Sequence, residues 1–319
     1  MIDRYNRKIE YLRISVTDLC NLRCRYCMPE RGVDKRPHGA ILSVEEIIEI
    51  CEAAAKVGIK KVRITGGEPL VRRGVIEICR GIKAISGICE LALTTNGLLL
   101  EDMAADLKTA GVDRVNISID SLDPEKYAHM TRGGDLDRVL RGIEAAKRTG
   151  LTPIKLNAVL IGGFNDDEIP SLVELTRENE YEMRFIELMP IGESLPFWEK
   201  GFVPNSAVLA AVPELEPATD DGDGVARHYR LPGAMGCVGL INPISSHFCK
   251  SCNRLRLTAD GMLKPCLHSS AEVPVRGLHS GELEAAIISA IGLKPQSRGN
   301  DLSLEHPSVA GRRMNQIGG

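Results

Sequence analysis

Six stretches with a two-residue rhythm, at 12–17, 61–65, 91–96, 114–120, 153–161 and 183–190, alternate with helical stretches along the first part of the chain. The helical ones fall near 75–85, 101–110, 136–148 and 168–180, and the earliest opens at Ser43 and Glu46 as a capping box before Ile47, Ile48 and Cys51. Repeated strand-helix units predict a parallel sheet with helices outside it, as an open doubly wound sheet or a partial barrel. The strands restrict the choice further. Leu12, Ile14 and Val16 alternate with Arg13, Ser15 and Thr17, and Val62 and Ile64 with Lys61, Arg63 and Thr65. Thr94 and Asn96, then Asn116, Ser118 and Asp120, then Lys155 and Asn157 continue the polar set. Successive side chains point to opposite faces, so each strand has one apolar and one polar face. In a helix-wrapped parallel sheet the apolar face meets the helices and the polar face lines the inside of the curve. An antiparallel sheet with a solvated face shows the same alternation, but the intervening helices argue against it.

A filled barrel holds bulky branched residues inside, and buried unpaired Arg or Lys would cost several kcal/mol each. The interior is therefore expected to be a wet cavity for a large polar anion. Arg13, Lys61, Arg63 and Lys155 suit a triphosphate. A length of 319 residues with 43% hydrophobic content allows one barrel-sized domain plus an extension. The rhythm breaks after Pro190, which suggests regions 1–190 and 191–319, with a solvated acidic loop around 220–224. A net charge of -3 argues against nucleic acid held by bulk electrostatics. The charged stretch 1–11 and the lack of a membrane-length apolar run indicate neither secretion nor insertion, so a cytoplasmic location is expected.

Ten cysteines in such a chain read as metal ligands or buried thiols rather than disulfides. Cys20, Cys24 and Cys27 form a C-x3-C-x2-C run directly after the first strand. Three thiolates leave one iron of a cuboidal 4Fe-4S cluster open. A zinc site closed by His38 is the alternative. Gly66, Gly67, Glu68 and Pro69 follow the second strand at the end where parallel barrels place their active sites, and two glycines allow close backbone approach to a ligand. A second triad, Cys249, Cys252 and Cys266, also lacks an evident fourth ligand, with Cys237 and His247 as possible completions and a Cys3His zinc site as the alternative. Arg254 and Arg256 follow it on one face of an extended segment, with Leu255 and Leu257 on the other. Cys51, Cys79 and Cys89 read as small buried hydrophobes. Asp120 and Glu187 are candidates for acid-base, hydrogen-bonding or ion-pair roles alike.

The first cysteine run and the Gly66-Gly67-Glu68-Pro69 segment resemble the signatures of the radical S-adenosylmethionine (SAM) superfamily. With the run from Cys249 to Thr258, Cys266-Leu267 and the terminal Gly318-Gly319, the whole chain is similar to the GTP 3',8-cyclase family, which carries out the first step of molybdenum cofactor biosynthesis. That resemblance implies a partial six-stranded (β/α) barrel whose open side is closed by the C-terminal region, with two 4Fe-4S clusters facing each other across the lumen. It implies that Cys20, Cys24 and Cys27 hold the SAM-cleaving cluster and Cys249, Cys252 and Cys266 the auxiliary one, which the guanine base would meet. SAM would touch Tyr26, Gly67, Ser118 and Met189. GTP would touch Arg13, Lys61, Arg63, Thr94, Lys155, Arg184, Arg254, Leu255 and Arg256, with Gly318 and Gly319 threaded into the site beside the arginine pair. A homodimer, an external electron donor and transfer of the product to cyclic pyranopterin monophosphate synthase are also implied, with no nucleic-acid or membrane partner.

Overall fold

Strands β1 (Tyr11–Ser15), β2 (Lys61–Thr65), β3 (Glu90–Thr95), β4 (Arg114–Ser118), β5 (Lys155–Leu160) and β6 (Glu182–Glu187) form where the alternation predicts them. They pair in chain order and every pair is parallel. The computed structural model describes residues 1–218, 224–298, 308 and 310–318, apart from the His38 side chain. Gly319 and most of the acidic loop at 220–224 thus lie outside the described residues. Between the strands run α1 (Val44–Lys56), α2 (Val75–Ala84), α3 (Leu100–Thr109), α4 (Pro124–Thr131), α5 (Leu136–Thr149) and α6 (Ile169–Glu174). The capping box of α1 is present: the Glu46 N–H donates to Ser43 Oγ at 3.1 Å, and the Ser43 N–H to Glu46 Oε2 at 2.7 Å.

Two helices depart from the sequence reading. α4 lies where no helix was expected, although Asp123-Pro124 is a start signal: the Asp123 carboxylate accepts from the N–H groups of Glu125 and Lys126, and proline needs no donor partner in the first turn. α6 ends at Glu174 rather than running to 180. Beyond it the Thr176 and Arg177 N–H groups bond back only three residues, to Val173 and Glu174, as tight turns do.

The C-terminal region does not build a sheet of its own. It contributes β7 (Glu216–Pro217), β8 (Ala226–Arg230), β9 (Cys237–Ile241), β10 (Arg254–Leu257), β11 (Met262–Lys264) and β12 (Val273–Pro274). β9 adds parallel to β6, and β10 adds parallel to β1, so both edges of the six-stranded arc are lengthened. β7, β8, β11 and β12 finish the two ends antiparallel. The result is one 12-stranded sheet, ordered β12-β11-β10-β1-β2-β3-β4-β5-β6-β9-β8-β7, whose ends do not pair among the described residues. This is an open barrel.

The outer faces of the strands make the core. Ile14, Val62, Ile64, Leu93, Ile117 and Phe185 are fully buried against the helices, and Leu255 and Leu257 of β10 join the same cluster. The inner faces carry Arg13, Arg63, Asn116, Arg184, Arg254 and Arg256, as the alternation requires. Cys51 and Cys79 are buried as expected, but Cys89 is exposed: it precedes β3 at the sheet's lower edge, where its thiol meets the Gly87 carbonyl.

The last described segment returns to the barrel. The Arg312 guanidinium bridges Asp260, through Nη1 at 3.0 and 3.1 Å, and Glu272, through Nε at 2.6 Å and Nη2 at 2.8 Å. From this anchor a short helix, Met314–Ile317, leads Gly318 into the lumen. A side chain on Gly318 would place its Cβ 2.1 Å from Thr65 Oγ1, so only glycine fits there.

Two outcomes follow from these contacts. Ile64→Ala removes branched volume from a site with no exposure, and urea denaturation should show a loss of about 2–5 kcal/mol. Arg312→Ala leaves two carboxylates facing each other without their shared cation, and limited proteolysis read by mass spectrometry should cut the segment 310–318 faster than in the wild type.

Candidate active site

All six triad cysteines line a single cavity of about 330 Å³ in the lumen, a size typical of small-molecule sites. Cys20, Cys24 and Cys27 come from the loop after β1, where the Cys24 carbonyl accepts from the N–H groups of Cys27 at 2.9 Å and Met28 at 3.0 Å. That turn brings the second and third thiols to one side. Burial pushes the Cys20 thiol up to about 11 and the Cys27 thiol up to about 12, so both need a metal's charge to become thiolates.

Gly66 and Gly67 pack this loop against the next one. A Cβ on Gly67 would lie 2.4 Å from the Leu19 carbonyl oxygen, and one on Gly66 would lie 2.6 Å from that of Thr17. The two backbones also bond directly, with the Gly67 N–H donating to Thr17 O and the Glu68 N–H to Leu19 O. The glycines therefore let two loops meet, a function beyond the ligand approach read from the sequence. Glu68, buried beneath them, accepts from the Leu70 and Asn96 N–H groups and the Thr95 hydroxyl. Burial still lifts its carboxyl to about 7.

Tyr26, Gly67, Ser118 and Met189 line the same cavity as the first triad. The Tyr26 hydroxyl donates to Asp120 Oδ2 at 2.7 Å, and Asp120 Oδ1 accepts from the Val159 N–H at 2.9 Å. Burial raises the Asp120 carboxyl to about 6 against both bonds. Glu187 is different. Its two oxygens accept from Ser245 and from the N–H groups of Asn205, Ile244 and Ser245, which ties β6 to the C-terminal region and leaves it a structural task.

Cys249 and Cys252 sit on the turn before β10, and Cys266 follows β11. Lys294, which the sequence reading missed, closes this triad from behind: its Nζ donates to Cys252 Sγ at 3.4 Å, Arg254 O at 2.8 Å and Pro265 O at 2.9 Å. Burial would raise the Cys252 thiol, but Arg254 and Lys294 outweigh it and bring it down to about 6. Cys237 is not a completion of this triad, since it lies with Glu182 and His228 instead. His247 does line the cavity near it.

The donor sets fit iron-sulfur clusters better than zinc. Among the described residues, the one group of three His, Cys, Asp or Glu ligand atoms within 4.8 Å of one another is Glu182, His228 and Cys237. A tetrahedral zinc draws its thiolates to roughly 4 Å apart, given Zn–S bonds of about 2.3 Å. Both cysteine triads are wider than that, as ligands of a multi-iron centre must be.

Arg13, Arg63, Thr94, Arg184, Arg254 and Arg256 also line the cavity. Arg13 Nε, Arg184 Nη2, Arg254 Nε and Nη2, and Asn116 Nδ2 are buried donors without hydrogen-bond partners among the described residues. Burial and the neighbouring Arg63, Arg256 and Arg254 press the Arg13 guanidinium well below its ordinary range, which registers a crowd of like charges. Such a lumen demands a polyanion rich in acceptors. Arg256 is met by the returning tail, its Nη1 donating to the carbonyls of Ile317 at 2.9 Å and Gly318 at 2.6 Å. Three expected contacts stand elsewhere. Leu255 turns its side chain into the core, so it can offer the lumen only main chain. Lys61 and Lys155 begin their strands at the barrel's floor, below the cavity, and pair with Glu90 at 3.5 Å and Glu182 at 2.6 Å.

Comparison with known proteins agrees with this geometry. Residues 14–176 match the family model described as Radical SAM superfamily, and residues 181–299 match Molybdenum Cofactor Synthesis C. GTP 3',8-cyclase of Alkaliphilus oremlandii is 52% identical, with 100% of both chains covered. That of Moorella thermoacetica is 47% identical, again with 100% of both covered. Among solved structures, SuiB of Streptococcus suis superposes with a TM-score of 0.63 at 14% identity, covering 92% of this chain and 68% of its own. Coproporphyrinogen III oxidase of Escherichia coli gives 0.50 at 10% identity, covering 71% and 56%. These two share the fold. Full-length identity of that order with the cyclases places the chain in the GTP 3',8-cyclase family of the radical SAM superfamily.

Proposed function

We propose that this chain converts GTP to 3',8-cyclo-7,8-dihydro-GTP, and that the two cysteine triads divide the work. Residues 1–190 would carry the SAM-cleaving half, with a 4Fe-4S cluster on Cys20, Cys24 and Cys27. Residues 191–319 would carry the auxiliary 4Fe-4S cluster on Cys249, Cys252 and Cys266, together with the tail. The observation that carries this reading is that both triads and a set of unpartnered guanidinium donors open onto one cavity. When bound, the reduced cluster and SAM supply a carbon-centred radical able to take hydrogen from C3' of the ribose.

The protein's own part is to hold, orient and enclose. Tyr26, Gly67, Ser118 and Met189 frame the cofactor's position beside the first triad, with the Tyr26 ring fixed by Asp120. Arg13, Arg63 and Arg184 take the triphosphate, and Thr94 lines the same cavity. Arg254 and Arg256 stand beside the second triad, where the base would lie. The Arg254 guanidinium is stacked 5.1 Å from the Phe248 ring centroid, which holds it in place while its Nε and Nη2 stay available. Fixing both ends of the nucleotide sets the ribose in between, and positioning of this kind is the main service a protein renders to radical chemistry. Gly318 and the tail wall off the lumen beside Thr65, which keeps water from an unselective intermediate.

An external donor would provide electrons, and the product would pass to cyclic pyranopterin monophosphate synthase. A homodimer in the cytoplasm, without nucleic-acid or membrane partners, completes the reading. No helix among the described residues is long and apolar enough to cross a membrane.

Anaerobically reconstituted protein supplied with SAM, GTP and dithionite should form 5'-deoxyadenosine and the cyclised nucleotide together. Cys24→Ser should reduce both to background, and retained 5'-deoxyadenosine would contradict the first assignment. Arg254→Ala should lower kcat/KM for cyclisation by roughly tenfold or more while cleaving SAM at a rate closer to wild type. Equal product from that variant would remove Arg254 from the substrate site.

A further inference from the structure

Beneath the cavity, at the starts of the strands, lies a belt of charge that the proposed chemistry leaves without a task. Glu182 opens β6, beside Lys155 at the start of β5 and Cys237 at the start of β9. Its Oε1 accepts from Arg184 Nε at 2.5 Å and faces His228 Nε2 at 2.9 Å, while Oε2 accepts from Lys155 Nζ at 2.6 Å. The residue is 8% exposed. Burial alone would raise its pKa, but His228, Arg184 and Lys155 hold it well below the ordinary carboxylate range. With His228 and Cys237 it forms a close group of potential metal ligands. Two cations already grip the carboxylate, however, so a divalent ion would meet positive charge there.

The direction of these contacts tells more. Arg184 is gripped from below through Nε, while its buried Nη2 has no hydrogen-bond partner among the described residues and the residue lines the cavity above. Glu90 treats Arg114 in the same way, accepting from Nε at 2.9 Å and Nη2 at 2.6 Å. Arg114 Nη1 in turn donates to Asn116 Oδ1 at 2.7 Å, which leaves the buried Asn116 Nδ2 as an unmet donor facing the lumen. In both cases a floor carboxylate takes the lower edge of a cationic group and a donor is left pointing upward.

We infer that Glu182 is a positioning residue for the nucleotide's polyphosphate: braced by Lys155 on one oxygen and holding Arg184 Nε on the other, it aims the remaining Arg184 donors at the phosphate oxygens. This rests on the reading of the lumen as a GTP site. Glu182 neutralises only part of the local charge, since Arg184 and Lys155 share its one carboxylate. The sign of its effect separates positioning from simple electrostatics. A carboxylate that merely sat near the phosphates would repel them, and removing it would tighten binding. One that aims their partners weakens binding when it is lost.

The test measures dissociation constants of GTP, inorganic triphosphate and guanosine for the reconstituted holoenzyme and for Glu182→Gln, by anaerobic equilibrium dialysis. The inference expects Glu182→Gln to weaken GTP and triphosphate by roughly tenfold, the scale of one lost charge-assisted contact, with guanosine unchanged. GTP bound as tightly as by wild type, or more tightly, overturns it, and so does an equal loss for GTP and guanosine. Wild-type holoenzyme that binds none of the three probes sinks the nucleotide reading itself. Should Glu182→Gln fail to fold, Glu182→Asp keeps the charge on a shorter arm: a loss confined to GTP and triphosphate supports the inference, and wild-type affinity for both overturns it.

Discussion

Positive charge buried on the concave side of a parallel sheet governs the rest of this structure. Arg63 and Arg184 are each 3% exposed, yet both point into the lumen rather than outward. Each unmatched buried donor costs about 1–3 kcal/mol, and more when it is charged. The fold meets this cost by dividing the lumen into levels. Carboxylates hold the lowest cations, tail carbonyls hold Arg256, and between them donors of Arg13, Arg184 and Arg254 have no hydrogen-bond partner among the described residues, which suits a polyanionic ligand. The outward apolar faces, packed under helices, supply the stabilisation that makes such an interior tolerable.

That division depends on where the C-terminal region attaches. Because β10 joins β1 in parallel register, Arg254 sits level with Tyr11 and Arg256 with Arg13. The two arginines thereby enter the same lumen as those of β1 and β2. β9 does the corresponding thing at the other edge, placing Gly239 opposite Arg184. A Cβ on Gly239 would lie 3.2 Å from Arg184 Cγ, so the small residue leaves that side chain room to stand upright. The region assigned to the auxiliary centre is therefore also the region that widens the barrel. Had it folded as a separate lid, Arg254 and Arg256 would have no fixed register against Arg13 and Arg63.

The strands were legible because polar and apolar residues alternate so regularly, and that same alternation pointed Arg13, Arg63 and Thr94 to the cavity wall, whereas Arg184 came only from the family resemblance. The cysteine triads were legible from spacing. What sequence concealed depends on contacts between distant segments. Lys294 lies far along the chain from Cys252, and nothing in its neighbours marks it as buried. β9 and β10 are short, and no helical crossover announces their parallel pairing. Lys61 and Lys155 have the lumen-facing parity of Arg63 and Asn157, but parity cannot say how deep along the barrel axis a side chain stands. Cys89 was misread because an apolar neighbourhood in sequence coincides there with a sheet's edge in space. The pairing of Arg114 with Asn116 was hidden too, although the two are only two residues apart, because Glu90 on the adjacent strand orients it.

The first triad shows how local sequence and distant contact combine. C-x3-C-x2-C can turn three thiols toward one centre, yet a free loop would sample many such arrangements. Here the loop is clamped from two sides. Gly66 and Gly67 bring the β2 loop into backbone contact with Thr17 and Leu19, which flank Asp18 just ahead of Cys20. Asn96, after β3, donates from Nδ2 to Asn21 Oδ1 at 2.8 Å and lies 3.7 Å from Cys20 Sγ, while its own N–H is fixed by Glu68. Glu68 thus connects the loops after β2 and β3 and, through Asn96, reaches the first cysteine. Only a buried side chain with two acceptor oxygens on a reach of this length can bind Leu70, Thr95 and Asn96 together. The glutamate in the Gly66-Gly67-Glu68-Pro69 segment is accordingly a structural requirement of the cysteine loop, and the glycines before it are what allow that loop to come close enough to be held.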